Sequence, residues 1–235
     1  MDFYGVEPAT LVDFPDKIAF TLFTRGCDLR CPVCHNPKLV LPELGKELDG
    51  FPVERAIEHI KKSKGWLEAV CITGGEPLIH AGLAEALRQL KATGIEIKID
   101  TNGGHPQELQ DLCEEGLIDF VALDIKAPFG MPYQHITGGF DISELVKRAA
   151  SEMQQRDISH QFRTVCVPGV HCPEDIGEIA KFLSAGAKAI DYVLAPFNPR
   201  VTLAPEMEKL PPPTEKEMLA YLEAAREFIP GARQR

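Results

Sequence analysis

Hydrophobic positions along this chain fall into two alternating registers. Short, nearly continuous apolar runs lie at 17–24 (KIAFTLFT), 68–73 (EAVCIT), 95–101 (IEIKIDT), 119–126 (DFVALDIK), 160–167 and 190–197. Their length and β-branched content predict buried strands. Helical periods lie between them. Val53, Ala56, Ile57 and Ile60 recur at i, i+3, i+4 and i+7, and Leu83, Leu87 and Leu90 share a face that Gly94 ends. A short helix at 106–115 stops at Gly116. Asp141 and Glu144 predict a capping box ahead of a helix that turns Ile142, Leu145, Val146, Ala149 and Met153 inward. Pro173 opens a helix with Ile176, Ile179 and Leu183 inward. A Pro-rich connector at 205–213 leads to a last helix at 214–228, capped by Thr214 and Glu217. Residues 1–16 predict an irregular lead-in with one short strand, and 37–52 a loop.

Six strand-then-helix units call for parallel strands with helices outside, as an open doubly wound sheet or an incomplete barrel. No G-x-G-x-x-G follows the first strand, which argues against dinucleotide binding. Polar or glycine-containing signals follow the C-terminal ends of all six strands, which is barrel behaviour. The expectation is an α/β protein with a partial (β/α)6, TIM-like barrel. It forms one domain over 1–235, with its core at about 17–200.

Composition narrows the classes. Apolar residues are 44% of the chain, enough for a sizeable core, and the net charge is −10 with no basic block, which excludes nucleic acid as the main partner. No apolar run is long enough to span a membrane and no apolar leader opens the chain, so a soluble, cytoplasmic protein is expected. Seven cysteines, an odd number, fit reduced thiols better than a disulfide framework.

The densest chemistry is GCDLRCPVCHNP at 26–37. Cys27, Cys31 and Cys34, in C-x3-C-x2-C spacing just after the first strand, can face one metal centre. A four-iron cluster held by three cysteines keeps one iron open to a small ligand. A zinc site with His35 as fourth ligand, redox thiols, and a buried cluster of small residues are the other readings. The later strand ends add polar groups. Gly74-Gly75-Glu76-Pro77 offers backbone to a close ligand, and the Glu76 carboxylate suits an ammonium group. Asp100, Thr101 and Asp124 would suit a hard cation or a ligand's polar end. Lys126 shares a strand face with Asp124 and could hold a carboxylate, and the fifth strand gives Arg163. A turn, a strand-end salt bridge and a surface charge are the plain structural readings of these groups. Together they suit a ligand with an ammonium and a carboxylate, an amino acid.

The chain resembles the radical S-adenosylmethionine (SAM) enzymes. Within them it is similar to the activases of glycyl radical enzymes, above all the activating proteins of anaerobic ribonucleoside-triphosphate reductase. LVDFPDK at 11–17, GCDLRCPVCHNP at 26–37, TGGEP at 73–77, DTNG at 100–103 and LDIK at 123–126 carry the resemblance, which spans about 11–200. It implies a radical SAM-type barrel and a [4Fe–4S] cluster on Cys27, Cys31 and Cys34. SAM would bind the open iron and be cleaved reductively to a 5′-deoxyadenosyl radical that takes hydrogen from a glycine Cα of the partner. The backbone of Gly74, Gly75 and Glu76 would meet the methionine amino group, with Asn102, Asp124, Lys126 and Arg163 in the SAM shell and Val33 at the adenine. The positions of Asp100, Thr101 and Asp124 resemble a monovalent-cation site. Flavodoxin or ferredoxin is the implied electron donor.

Departures from the family pattern are Val33 where an aromatic is common, Asp28 for Asn, and Asp16 for Gly. Asp28 adds negative charge beside an anionic cluster and should lower its potential. Cys71, Cys113, Cys166 and Cys172 read as buried small residues, with Cys166 and Cys172 flanking one loop. The stretch 128–140 is expected to help dock the partner's glycine loop. Two other readings stay open: a radical SAM enzyme acting on a small molecule, as in deazapurine synthesis, and a non-catalytic metal-binding or electron-transfer protein.

Overall fold

The computed structural model describes residues 1–63, 65–156, 158–185 and 190–235. They divide into two compact units. The first comprises Met1–Asp28, Asn36–Thr101 and Gln107–Val121; the second comprises Leu29–His35, Asn102–Pro106 and Ala122–Arg235.

In the first unit the strands are β1 (Asp2–Phe3), β2 (Val6–Thr10), β3 (Ala19–Thr24), β4 (Phe51–Pro52), β5 (Ala69–Gly74) and β6 (Glu96–Thr101). The helices are α1 (Pro37–Val40), α2 (Val53–Lys62) and α3 (Leu83–Lys91), with a 3₁₀ turn at Pro77–Ile79. Strand order is β6-β5-β3-β2, and β1 pairs with β4 separately. β3 and β5 run parallel in unbroken register from Ala19↔Ala69 to Thr24↔Gly74, and β5 continues parallel to β6. Strands covered on both faces read as unbroken apolar runs, as AFTLFT and AVCITG do. α2 buries Val53, Ala56 and Ile60, and α3 buries Leu83, Ala86, Leu87 and Leu90.

α4 (Pro106–Glu114) and β7 (Phe120–Asp124) carry the chain from one unit to the other. The second unit continues with α5 (Met131–Ile136), α6 (Ser143–Gln155), β8 (Ser159–Cys166), α7 (Pro173–Ser184), β9 (Tyr192–Pro196), α8 (Glu215–Arg226) and β10 (Arg233–Gln234). β8, β9 and β10 are parallel neighbours. α7 turns Ile176, Ile179 and Leu183 inward, and the α8 capping box forms between Thr214 and Glu217.

The six expected strands are all present, with no end displaced by more than two residues. Four local expectations differ from the structure. The lead-in holds two strands, β1 and β2, and the latter shows no buried face to betray it. The loop at 37–52 contains α1, one turn long, and β4. Asp141 does not cap α6: its Oδ1 accepts the Ser143 N–H at 3.0 Å, holding its carboxyl below the usual range, and the helix starts one residue later. Of the expected inward set, Val146, Ala149 and Met153 are buried, joined by Ala150, while Leu145 is 42% exposed. Asp16 has φ +59, which explains why glycine suits that position; aspartate tolerates the left-handed region better than most residues.

These burial assignments separate two leucines. Leu87→Ala should destabilise the protein by about 2–5 kcal/mol, whereas Leu145→Ala should change stability by less than about 0.5 kcal/mol. Urea denaturation of both variants against wild type checks this.

Candidate active site

The site begins where β3 and β5 end side by side. Gly75 N–H donates to Thr24 O at 2.9 Å and Glu76 N–H to Gly26 O at 2.8 Å, while Gly26 N–H donates to Leu39 O at 2.7 Å. Thr24 Oγ1 donates to Thr73 O and Asn36 Nδ2 to Gly74 O. The loop carrying Cys27 is thereby stitched to the Gly-Gly-Glu segment. A Cβ on Gly75 would lie 1.8 Å from Gly26 O, and one on Gly74, at φ +113, would lie 2.6 Å from the Thr24 backbone. Glycine is required here by chain crossing.

Glu76 is buried. Its Oε1 accepts from Leu78 N–H at 3.1 Å, capping the 3₁₀ turn, and from Thr101 Oγ1 at 2.8 Å. Asp100, the residue before Thr101, faces the other way. Its carboxylate pairs with the buried Lys98 ammonium and lies 3.8 Å from Cys71 Sγ.

In the second unit, Cys31, Pro32, Val33 and Cys34 form a tight turn closed by Cys34 N–H to Cys31 O at 3.0 Å. Proline at its second position presets the required φ. The turn is anchored at several points. Ala204 N–H donates to Pro32 O at 3.0 Å, His35 Nδ1 lies 3.2 Å from Val201 O, and Arg30 N–H donates to Thr137 O at 3.1 Å. Gly138, at φ +79, fits beneath it: a Cβ there would fall 2.2 Å from Arg30 O. The segment 128–140 thus buttresses the cysteine loop, burying Tyr133 and Ile136 while leaving Met131 65% and Phe140 47% exposed.

Charges gather beside Cys31. Burial pushes its thiol up; the Lys126 ammonium pulls it back, and Cys34 and Asp124 add to the rise. Arg163 donates through Nε and Nη2 to Asp124 Oδ1 at 3.0 and 2.9 Å, and Lys126 Nζ reaches Asp124 Oδ2 at 3.5 Å. Asn102 folds into its own turn, Oδ1 accepting Gly104 N–H at 2.7 Å.

The structure brings Asp124, Lys126, Arg163, Cys31 and Cys34 together in the second unit, and Gly74, Gly75, Glu76 and Thr101 in the first. Of the expected cation set, Asp100 and Thr101 lie in the first unit and Asp124 in the second. Asp100 and Thr101 are successive strand residues on opposite faces, bonded to Lys98 and Glu76 respectively, and Asp124 is held by Arg163 and Lys126. Among the described residues no three His, Cys, Asp or Glu side chains are gathered tightly enough to cage an ion on their own. Of the four remaining cysteines, Cys71 and Cys166 are buried as expected, Cys113 is half-buried, and Cys172 is exposed as the N-cap of α7.

Sequence reasoning missed His171. It is buried, its Nδ1 accepts Val167 N–H at 3.0 Å, and its Nε2–H therefore donates to Lys126 O at 2.8 Å. Tyr221 of α8 donates its hydroxyl to His171 O at 3.0 Å. A neutral, tautomer-fixed imidazole thus ties the β8 end to Lys126. Its only sequence signal is its place just after the Pro168-Gly169 turn.

Comparison with known proteins now fits this geometry. The Radical SAM superfamily profile matches residues 21–183. A Methanocaldococcus jannaschii protein, provisionally named a glycyl-radical enzyme activating enzyme, is 31% identical over 230 residues, covering 96% of this chain and 92% of its own. The pyruvate formate-lyase-activating enzyme of Staphylococcus epidermidis is 30% identical over 213 residues, covering 83% and 80%. Streptococcus suis SuiB bound to S-adenosylmethionine superposes with a TM-score of 0.69 at 17% identity, over 95% of this chain and 51% of that one. A domain of pyruvate-formate lyase-activating enzyme from Bacteroides vulgatus gives 0.57 at 20%, over 72% and 99%. At these identities the structural likeness is one of fold, the α/β partial barrel expected from the strand–helix alternation. The chain belongs to the radical SAM superfamily, whose cofactors are a [4Fe–4S] cluster and SAM. Within it the chain belongs with the glycyl-radical enzyme activating enzymes.

Two predictions test the buttresses. Gly139, at φ +99, meets nothing within 4 Å, so Gly139→Ala should lose only the left-handed backbone cost of about 1–2 kcal/mol. Gly138→Ala must also displace the Arg30 carbonyl and should lose more; thermal unfolding of the pair reads the difference. Burial lowers the His171 pKa, so the unfolded imidazole, protonating near 6.5, takes up a proton that the folded one refuses. Stability should therefore fall as pH drops below about 6.5, down to the folded value. His171→Gln should flatten that slope in urea melts at pH 5.5 and 7.5. His80, also lowered by burial, leaves part of it.

Proposed function

We propose that this enzyme activates the anaerobic ribonucleoside-triphosphate reductase by placing a radical on a glycine of that partner. The observation that carries the reading is the pairing of Cys31 with a charge cluster: a buried thiol beside Lys126, Asp124 and Arg163, in a turn with Cys34. An amino-acid ligand needs both signs of charge next to the cluster. The choice of reductase rests on the resemblance carried by CHNP, DTNG and LDIK.

The donor set fits the cluster. Cys27, Cys31 and Cys34 are thiols outside any disulfide, close in sequence, and three ligands leave one iron of a [4Fe–4S] cluster open. Bound, the cluster and SAM supply a one-electron reduction and a hydrogen-atom abstraction. The chain's own residues bind and orient. Lys126 would answer the SAM carboxylate, Asp124 and Arg163 would complete the polar shell around it, and the Gly74–Glu76 backbone would meet the amino group. Asn102 holds the strand-end turn, and the Val33 backbone takes the adenine edge where no aromatic ring stands. The exposed Met131 and Phe140 support docking of the partner's glycine loop on the segment 128–140. A low-potential flavodoxin or ferredoxin supplies the electron.

The test is electron paramagnetic resonance on the anaerobically reconstituted, dithionite-reduced protein. A [4Fe–4S]⁺ signal that changes on adding SAM, followed by a glycyl radical doublet when the reductase is added, is expected. Cys31→Ala should lose the cluster signal. A wild-type iron signal indifferent to SAM would sink the reading, and a doublet formed only on pyruvate formate-lyase would replace the partner.

A further inference from the structure

A dissolved cation beside the SAM site would need carboxylate oxygens to hold it, and in this chain those oxygens already face ammonium or guanidinium groups. Lys98 and Asp100 lie two residues apart on β6 and share a face. Cys71 is the register partner of Lys98 on β5. The Lys98 side chain is 3% exposed and that of Asp100 14%. The ammonium is bonded to the Asp100 carboxylate and reaches Cys71 Sγ at 3.6 Å. In the second unit Asp124 is held by Arg163 at 2.9 Å and Lys126 at 3.5 Å. Both aspartates that would suit a hard cation are thus neutralised by side chains.

A lysine in this place is not explained by strand packing. Burying an ammonium costs far more than burying a methionine of similar length, and an ion pair does not reliably recover the difference. Its position does fit one task. Lys98 sits one turn of the pleat behind Asp100, and Asp100 is followed directly by Thr101, whose hydroxyl engages Glu76 of the Gly-Gly-Glu segment. The positive charge therefore stands at Asp100, near the end of β6, on the strand face opposite the Thr101–Glu76 contact.

We infer that Lys98 is a tethered replacement for the monovalent cation: its ammonium supplies the charge at Asp100, and SAM binding by this enzyme needs neither Na⁺ nor K⁺. The inference rests on the SAM site proposed above. It differs from a merely structural ion pair in one measurable respect. A structural pair would make Lys98 matter for stability alone. A tethered cation makes its loss repairable, in SAM affinity, by dissolved Na⁺ or K⁺.

The experiment is equilibrium SAM binding to the anaerobically cluster-loaded protein in KCl, NaCl and tetramethylammonium chloride at one ionic strength. Wild type should keep its Kd within about twofold across the three salts, the sign of no linkage to the cation. Lys98→Met should bind about tenfold more weakly in tetramethylammonium and recover on adding K⁺ or Na⁺, a size usual for coupling between two ligands. Lys98→Arg keeps the charge and should stay indifferent to the salt. A wild-type affinity that falls about fivefold or more without K⁺ and Na⁺ overturns the inference, being itself a typical coupling. So does a folded Lys98→Met with wild-type affinity in tetramethylammonium. If that variant does not fold, the wild-type series and Lys98→Arg decide the matter. SAM binding in no salt at all overturns the site reading, and this inference with it; SAM binding that depends on salt overturns this inference alone.

Discussion

The close approach of Gly75 to Gly26 is the constraint on which the first half of the site depends. The two parallel strands β3 and β5 end in register, and the chain leaving each is bonded to the other. A Cβ at Gly75 would stand only 1.8 Å from Gly26 O, so no side chain can enter without parting the strand ends. The Gly26–Cys27 segment and the Gly-Gly-Glu segment therefore cannot be moved independently. In the sequence, paired glycines suggest room for a ligand. In the structure the room on their Cβ side is already filled by backbone, and what they offer a ligand is the opposite, polar edge of the chain.

Charge follows the same logic of internal completion. Glu76 is taken up by Leu78 and Thr101, Asp100 by Lys98, and Asp124 by Arg163 and Lys126. Buried pairs of this kind contribute little net stability, because desolvation offsets most of the attraction. Their consequence is positional. Each carboxylate is held in position by its partners within the chain. His171 extends the arrangement through the backbone: its ring fixes Lys126 O, and its own carbonyl is fixed by Tyr221.

Legibility in the sequence tracks burial. β3 and β5 are plain because both faces are covered and the run is unbroken; β2, almost wholly exposed, has no pattern to read. α1 is barely one turn long, too short to show the i, i+3, i+4, i+7 recurrence that reveals helices. Periodicity misplaces Leu145 because it lies at the edge of the apolar stripe whose centre is Val146, Ala149 and Met153, and an i, i+3 pattern does not tell an edge position from a central one. Among site residues, Cys27, Cys31 and Cys34 announce themselves by spacing. Lys98 does not, because IEIKIDT alternates like a strand with one wet face, and only tertiary structure shows that its polar face is covered too.

That covered polar face carries the synthesis furthest. β6 alternates apolar and charged residues, and although Glu96 at its start is half-exposed, Lys98 is buried and Asp100 largely so, which places charges where water would ordinarily not supply counter-ions. The counter-charges must then come from the chain or from a bound ion. β6 supplies its own through Lys98 and Asp100, and β7 and β8 do so through Asp124 and Arg163. The same rule predicts where such a chain keeps its chemistry. Among the strand ends, charge survives burial where side chains from neighbouring strands can meet it, and those are the positions from which a polar ligand can be held without dissolved ions. The i, i+2 pairing of Lys98 with Asp100 is thus readable as site architecture once the strand is known to be covered on both sides.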